Sequence, residues 1–192
     1  EAAGERALDL ANAGPDTVLA FFEGQAPTSI QGVIALAGAL EQRNRGDEAR
    51  PLIRDWWRTQ SFDAAPQGRI LARWSRWLTQ ADHEARLDML LLGPHGPATR
   101  EMISLVSPER RAVAEAVLAL RTAYNGDAIV AGLTTSQARD PAVVLERVRL
   151  LRAAGRQSEG FALLSALPRA PSHSEGQSTL WSERRNYFLD AL

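Results

Sequence analysis

The segment Asp140–Gly155, DPAVVLERVRLLRAAG, decides the fold class. Asp140 is placed to cap a helix N-terminus, Pro141 suits a first helical position where no N–H donor is needed, and Gly155 stops the last turn. Between these signals Val144, Val148 and Leu151, reinforced by Leu145, recur at helical spacing. Glu146, Arg147, Arg149 and Arg152 occupy much of the remaining surface. The spacing predicts an amphipathic helix from about Pro141 to Ala154, and such a helix requires a partner.

The same grammar extends in both directions. Ser107-Pro108-Glu109 opens a helix that carries Val113, Val117, Leu120 and Tyr124 at i, i+4, i+7 and i+11 before Asn125-Gly126 stops it. Helices are expected over Glu5–Ala13, Asp16–Phe22, Thr28–Asn44, Asp47–Thr59, Gln67–Leu78, Gln80–Leu92 and Pro97–Val106. Further ones are expected over Asp127–Gly132, Arg156–Leu167 and from about Gln177 onward, with a linker near residues 168–176. Composition agrees, since 32 Ala and 25 Leu among 192 residues favour helix over strand. Gly96, Gly126 and Gly155 lie 30 and 29 residues apart, and Gly14 and Gly46 lie 32 apart. Helix pairs at a period near 30 predict an all-α superhelix, or solenoid, of antiparallel helix pairs forming one domain over residues 1–192. The alternative is an irregular bundle of glycine-terminated helices.

Charge and composition exclude several functions. The net charge is −1, with 22 basic residues against 23 acidic ones, so no global field favours nucleic acid. No apolar run approaches the roughly eighteen residues of a membrane span, and Glu1-Ala2-Ala3-Gly4-Glu5 lacks the basic and apolar regions of a signal peptide, which either was removed or never existed. The chain contains no cysteine, which removes disulfides, thiol nucleophiles and thiolate metal sites. All 22 basic residues are Arg, which removes the P-loop and Schiff-base lysines.

Candidate chemistry is sparse. His83-Glu84 begins a zinc-protease pattern, but Leu87 stands where the second histidine belongs. His95 lies in a Gly-Pro turn and His173 in the linker, so no metal site is expected. His83 reads as a partly buried structural histidine, and Asp82 with Arg86 as an exposed i, i+4 ion pair. No nucleophile elbow, dinucleotide fingerprint or P-loop is present, so no catalytic residue and no cofactor is assigned. Trp56-Trp57 and Trp74-Trp77 are flanked by Arg54, Arg58, Arg73 and Arg76. Large aromatics at this spacing serve helix packing. The other reading is a substrate-binding face, for which Trp74, Trp77, Arg73 and Arg76 are the candidates, through stacking on sugar rings and pairing with carboxylates.

A family resemblance enters at Trp57-Arg58 with Phe62-Asp63, and at Leu78-Thr79-Gln80-Ala81-Asp82-His83-Glu84-Ala85-Arg86-Leu87-Asp88. It continues in Leu90-Leu91, in Ala98 with Arg100, and in Trp181-Ser182-Glu183-Arg184-Arg185. These residues resemble the non-catalytic superhelical region of the soluble lytic transglycosylases, bacterial periplasmic enzymes that cleave peptidoglycan. The likeness covers residues 56–188, whereas residues 1–50 match only as generic helical repeat. Leu92 departs from it, standing where the family often has Trp, and so does the Gly93–Pro97 turn. The resemblance implies a periplasmic superhelix that forms a curved wall and presents glycan strands to a lysozyme-like catalytic domain absent from this chain. That domain carries one acid in a Glu-Ser-x-Phe context and forms an anhydromuramoyl end. None of the 13 Glu here precedes Ser, so this chain alone is expected to be inactive. The alternative is a helical-repeat scaffold that binds a protein partner.

Overall fold

In the computed structural model, which describes residues 12–167 and 174–190, every regular element among the described residues is helical. No described helix is long and apolar enough to cross a membrane. The chain divides into two compact units, Glu1–Asp82 and His83–Leu192.

The first unit holds α1 (Pro15–Phe21), α2 (Ile30–Gln42), α3 (Gly46–Thr59), α4 (Ala64–Trp74), a 3-10 turn over Ser75–Trp77 and the start of α5 (Gln80–Leu91). Ser29 caps α2 by accepting from the Gly32 N–H at 3.0 Å. Asn44, with φ at 58°, then turns the chain into α3. At this turn the Arg45 N–H donates to the Leu40 carbonyl and the Asn44 N–H to the Glu41 carbonyl, engaging acceptors at the helix end. α2 packs against α1, α3 and α4. The core includes Val18 of α1 and Phe22 just after it, Val33, Ala37 and Leu40 of α2, Ala49, Ile53 and Trp57 of α3, and Ile70 and Trp74 of α4.

The second unit continues α5 and adds α6 (Pro97–Met102), a 3-10 turn over Ile103–Leu105, α7 (Pro108–Thr122), α8 (Asp127–Ala131) and α9 (Thr135–Ala138). Its last helices are α10 (Pro141–Ala153), α11 (Gln157–Ala166) and α12 (Ser174–Asp190). The Asp140 carboxylate caps α10 from the Ala142 N–H at 3.0 Å, as its sequence predicts. α10 is central, packing on α7, α9, α11 and α12. Its Val143, Val144, Leu145, Val148 and Leu151 are buried, as are Val113, Val117 and Leu120 of α7, Leu164 of α11 and Tyr187 of α12, the helices that pack on it.

Several expectations are corrected. The helix expected to start at Gln67 starts at Ala64, because Pro66 falls within its first turn, where a missing N–H costs nothing. α9 has no counterpart in the sequence reading, although Thr134 and Gln137 form a reciprocal capping box. Tyr124 leaves the α7 stripe: the helix ends at Thr122, the Asn125 side chain accepts from the Asp127 N–H at 2.9 Å, and Tyr124 is fully exposed at 101%. Glu146 is buried instead of solvated, and Asp82 and Arg86 are both fully buried instead of forming an exposed pair. The expected linker is helical over residues 174–176, and the Glu5–Ala13 helix and residues 168–173 lie almost wholly outside the described residues.

Candidate functional site

The sequence candidates Arg73, Trp74 and Arg76 converge in the first unit on Glu41 of α2, and Trp77 joins them through Trp74 and Arg76. The Glu41 carboxylate accepts from Arg73 Nε at 2.8 Å, from Trp74 Nε1 at 3.1 Å and from Arg76 Nη2. Desolvation pushes this carboxyl upward, and the three donors together outweigh it, holding Glu41 below the usual range. The Trp74 and Trp77 rings stack at 5.8 Å with an interplanar angle of 15°. Arg73 and Arg76 lie over the two rings at 4.9 and 5.4 Å, within cation–π range. Trp74 is fully buried and Trp77 nearly so. The cluster is therefore a packed aromatic pair under a lid of two arginines, with the arginines and part of Glu41 facing water.

A second centre of buried charge is Asp82, at the third residue of α5. Its Oδ2 accepts from the Thr79 N–H at 2.7 Å and the Thr79 hydroxyl at 2.8 Å. Thr79 Oγ1 in turn accepts from the Asp82 N–H at 3.3 Å. This is a capping box with Asp in the place of Glu. Arg54 Nε at 3.0 Å and Arg58 Nε complete the shell from α3. Burial alone would raise the Asp82 carboxyl, but the Thr79 donors and the two guanidinium groups bring it down to about 2. Arg86, one turn further on, is shifted the other way, its guanidinium lowered to about 9 by desolvation.

In the second unit, Arg149 of α10 joins two buried carboxylates, Glu146 at 2.6 Å and Glu183 of α12 at 3.0 Å. Arg121 reaches Glu146 at 3.4 Å and Arg152 reaches Glu183 at 3.6 Å. Glu183 belongs to the Trp181–Arg185 run on which the family resemblance rests, and its role here is to tie α12 to α10. Trp181 itself is exposed, with Arg185 5.7 Å from its ring centre.

Several concave features remain, among them two in the second unit. One is a hollow of about 380 Å³ where the α7–α8 turn meets α10, lined by Tyr124, Asn125, Asp127, Arg147, Leu150 and Arg156 among others. The other is an apolar groove between α11 and α12, lined by Phe161, Leu164, Tyr187 and Phe188, with the Phe161 and Phe188 rings exposed. Sequence reasoning missed both, because each joins residues remote in the chain. The exposed Tyr124 was hidden by its helical spacing from Val113.

Among the described residues no group of three His, Asp or Glu side chains gathers to hold a metal ion. His83 is half-buried, and His95 Nε2 hydrogen-bonds the Leu91 carbonyl at 2.8 Å. Comparison with known proteins finds no matching family model, no matching curated protein and no matching solved structure.

Proposed function

We propose that this chain is a non-catalytic superhelical module of a periplasmic lytic transglycosylase, which positions peptidoglycan glycan strands for a catalytic domain outside these residues. The observation that carries the reading is where the family-like residues fall. Asp82, Arg86, Leu87 and Glu183 are buried, and Asp82 and Glu183 hold neighbouring helices through paired arginines. The resemblance thus includes residues that determine packing beside exposed ones such as Trp181, and the buried ones make it in part a likeness of architecture. Repetition of one hairpin supports the superhelical part of the proposal. The α2–α3 and α10–α11 turns share a left-handed residue, Asn44 or Gly155, followed by an arginine bonded to a glutamate three residues on.

A second reading, a scaffold for a protein partner, is favoured by the groove between α11 and α12 with its exposed Phe161 and Phe188. Digestion of purified peptidoglycan, followed by mass spectrometry for anhydromuropeptides, separates the two. The expected result is release by the product of the full-length gene and none by this 192-residue chain. Release by the short chain would reveal a catalytic acid within it. Release by neither would transfer the conclusion to the scaffold.

A further inference from the structure

We infer that the hollow between the α7–α8 turn and α10 binds a monocarboxylate carried on a small apolar body. This inference stands independently of the peptidoglycan reading, because it uses only the chemistry of the lining.

Arg147 is the starting point. Three other arginines of this stretch are neutralised: Arg149 by Glu146 and Glu183, Arg152 by Glu183 and Asp190, and Arg156 by Asp127 and Glu159. Arg147 makes no hydrogen bond or ion pair among the described residues, and its Nε is shut away from solvent without an acceptor. Its Nη groups are not enclosed and carry no bonded counter-ion, acting on Glu159 only at a distance, and a planar carboxylate can meet them through two parallel N–H···O bonds. The acid on the rim cannot fill this role, because Asp127 already accepts from Arg156 at 2.8 Å.

The rest of the lining selects the body of the ligand. One wall is Leu150, Leu151, Ala153 and Ala154, which offers apolar contact and no hydrogen bond from its side chains. At the mouth stands the fully exposed ring of Tyr124, free to close over a flat or aliphatic group. Asn125 spends its side-chain oxygen on the Asp127 N–H, so its amide –NH2 is left to donate to a carboxylate or amide oxygen. A single guanidinium without a bonded partner matches one negative charge, which disfavours phosphorylated ligands with two or more. The volume of about 380 Å³ lies within the range of roughly 300–1,000 Å³ common to small-molecule sites. A peptide C-terminus with small side chains and a free aryl or alkyl acid share this chemistry.

The test is a heteronuclear NMR titration of the full chain with N-acetyl-alanyl-alanine and with 3-phenylpropanoate, each beside its primary amide. At least one acid is expected to bind saturably at up to ~10 mM, with shifts confined to residues 123–127 and 147–156. The amide is expected to bind at least about tenfold more weakly. Arg147→Gln is expected to weaken the acid to the level of the amide. Tyr124→Ala, a change at a fully exposed position that cannot disturb the core, is expected to weaken it several-fold. The better acid identifies the source, a peptide terminus or a free acid. Equal binding of acid and amide, binding indifferent to Arg147→Gln, or no saturable binding of either acid would overturn the assignment.

Discussion

Single atoms decide how α11 and α12 meet. The Tyr187 hydroxyl donates to the Val148 carbonyl at 2.8 Å, and the ring reaches that acceptor only because position 160 of α11 is Gly. A Cβ there would overlap the Tyr187 hydroxyl and stand 2.7 Å from the ring carbon that bears it. In an exposed helix interior Gly→Ala gains about 1 kcal/mol, so the ordinary effect and the local one oppose each other. Displacing a buried aromatic from its hydrogen bond outweighs propensity, and Gly160→Ala is expected to destabilise the protein by about 2 kcal/mol in urea unfolding. Tyr187→Phe removes the overlapping oxygen, so the double variant should lose less than the sum of the two single losses. A Gly160→Ala protein more stable than the parent would show that Tyr187 has an alternative seat. Glu146 makes the same point about local context. It sits on the polar side of a helix pattern, yet it is buried because Arg149 and Arg121 neutralise it from two helices.

Helix hairpins are the elements most clearly written into this chain. Gly155, with φ at 73°, follows α10, and the Arg156 and Gly155 N–H groups return to the Leu151 and Arg152 carbonyls. Asn44 repeats that geometry after α2. The left-handed conformation costs a residue with a Cβ roughly 1–2 kcal/mol, which Gly avoids and Asn tolerates. Gly155→Ala and Asn44→Ala are therefore each expected to cost about 1 kcal/mol, while Asn44→Gly should be neutral or slightly stabilising; thermal melts of the three variants check this. Tolerance of Ala at both positions would mean that the turns relax. This pair also shows where sequence reading succeeds and where it stops. The caps at Asp140 and Ser107, the stripes on α7 and α10 and the all-helical class follow from local signals. Aligning glycines, however, matched Gly155 with Gly96 and Gly126, which have negative φ and precede helices, and passed over Asn44 as its true counterpart. The functional clusters were less legible still. Trp74 and Glu41, or Arg149 and Glu183, are brought together only by tertiary packing, and nothing in their local sequence announces it.

Across the whole molecule, acid stability depends on carboxylates and histidines, since all 22 basic residues are arginines that stay charged throughout the acidic range. His95 controls the first step. Its Nε2–H donates to the Leu91 carbonyl at 2.8 Å, while Nδ1 is buried without a partner, so protonation would place a second N–H where nothing accepts it. Desolvation lowers its pKa below 6.5, opposed by the Leu91 bond. Among the charges facing it, Arg121 and Arg149 depress it further and Glu146 raises it. The native state then binds fewer protons than the unfolded chain, so stability falls as pH drops below 6.5 and levels off below the folded pKa. Asp82 governs a later step: its folded pKa of about 2 against 3.8 contributes stability above that range and loses it as pH falls from one value to the other. Urea unfolding from pH 8 downward should show a plateau, a first decline through the imidazole range and a second through the carboxylate range. His95→Gln keeps an N–H for the Leu91 carbonyl but cannot titrate, and it is expected to diminish the first decline and leave the second. A first decline of undiminished size in that variant would assign the proton uptake to another group, and a gain of stability between pH 7 and 5 would reverse the sign argued for His95.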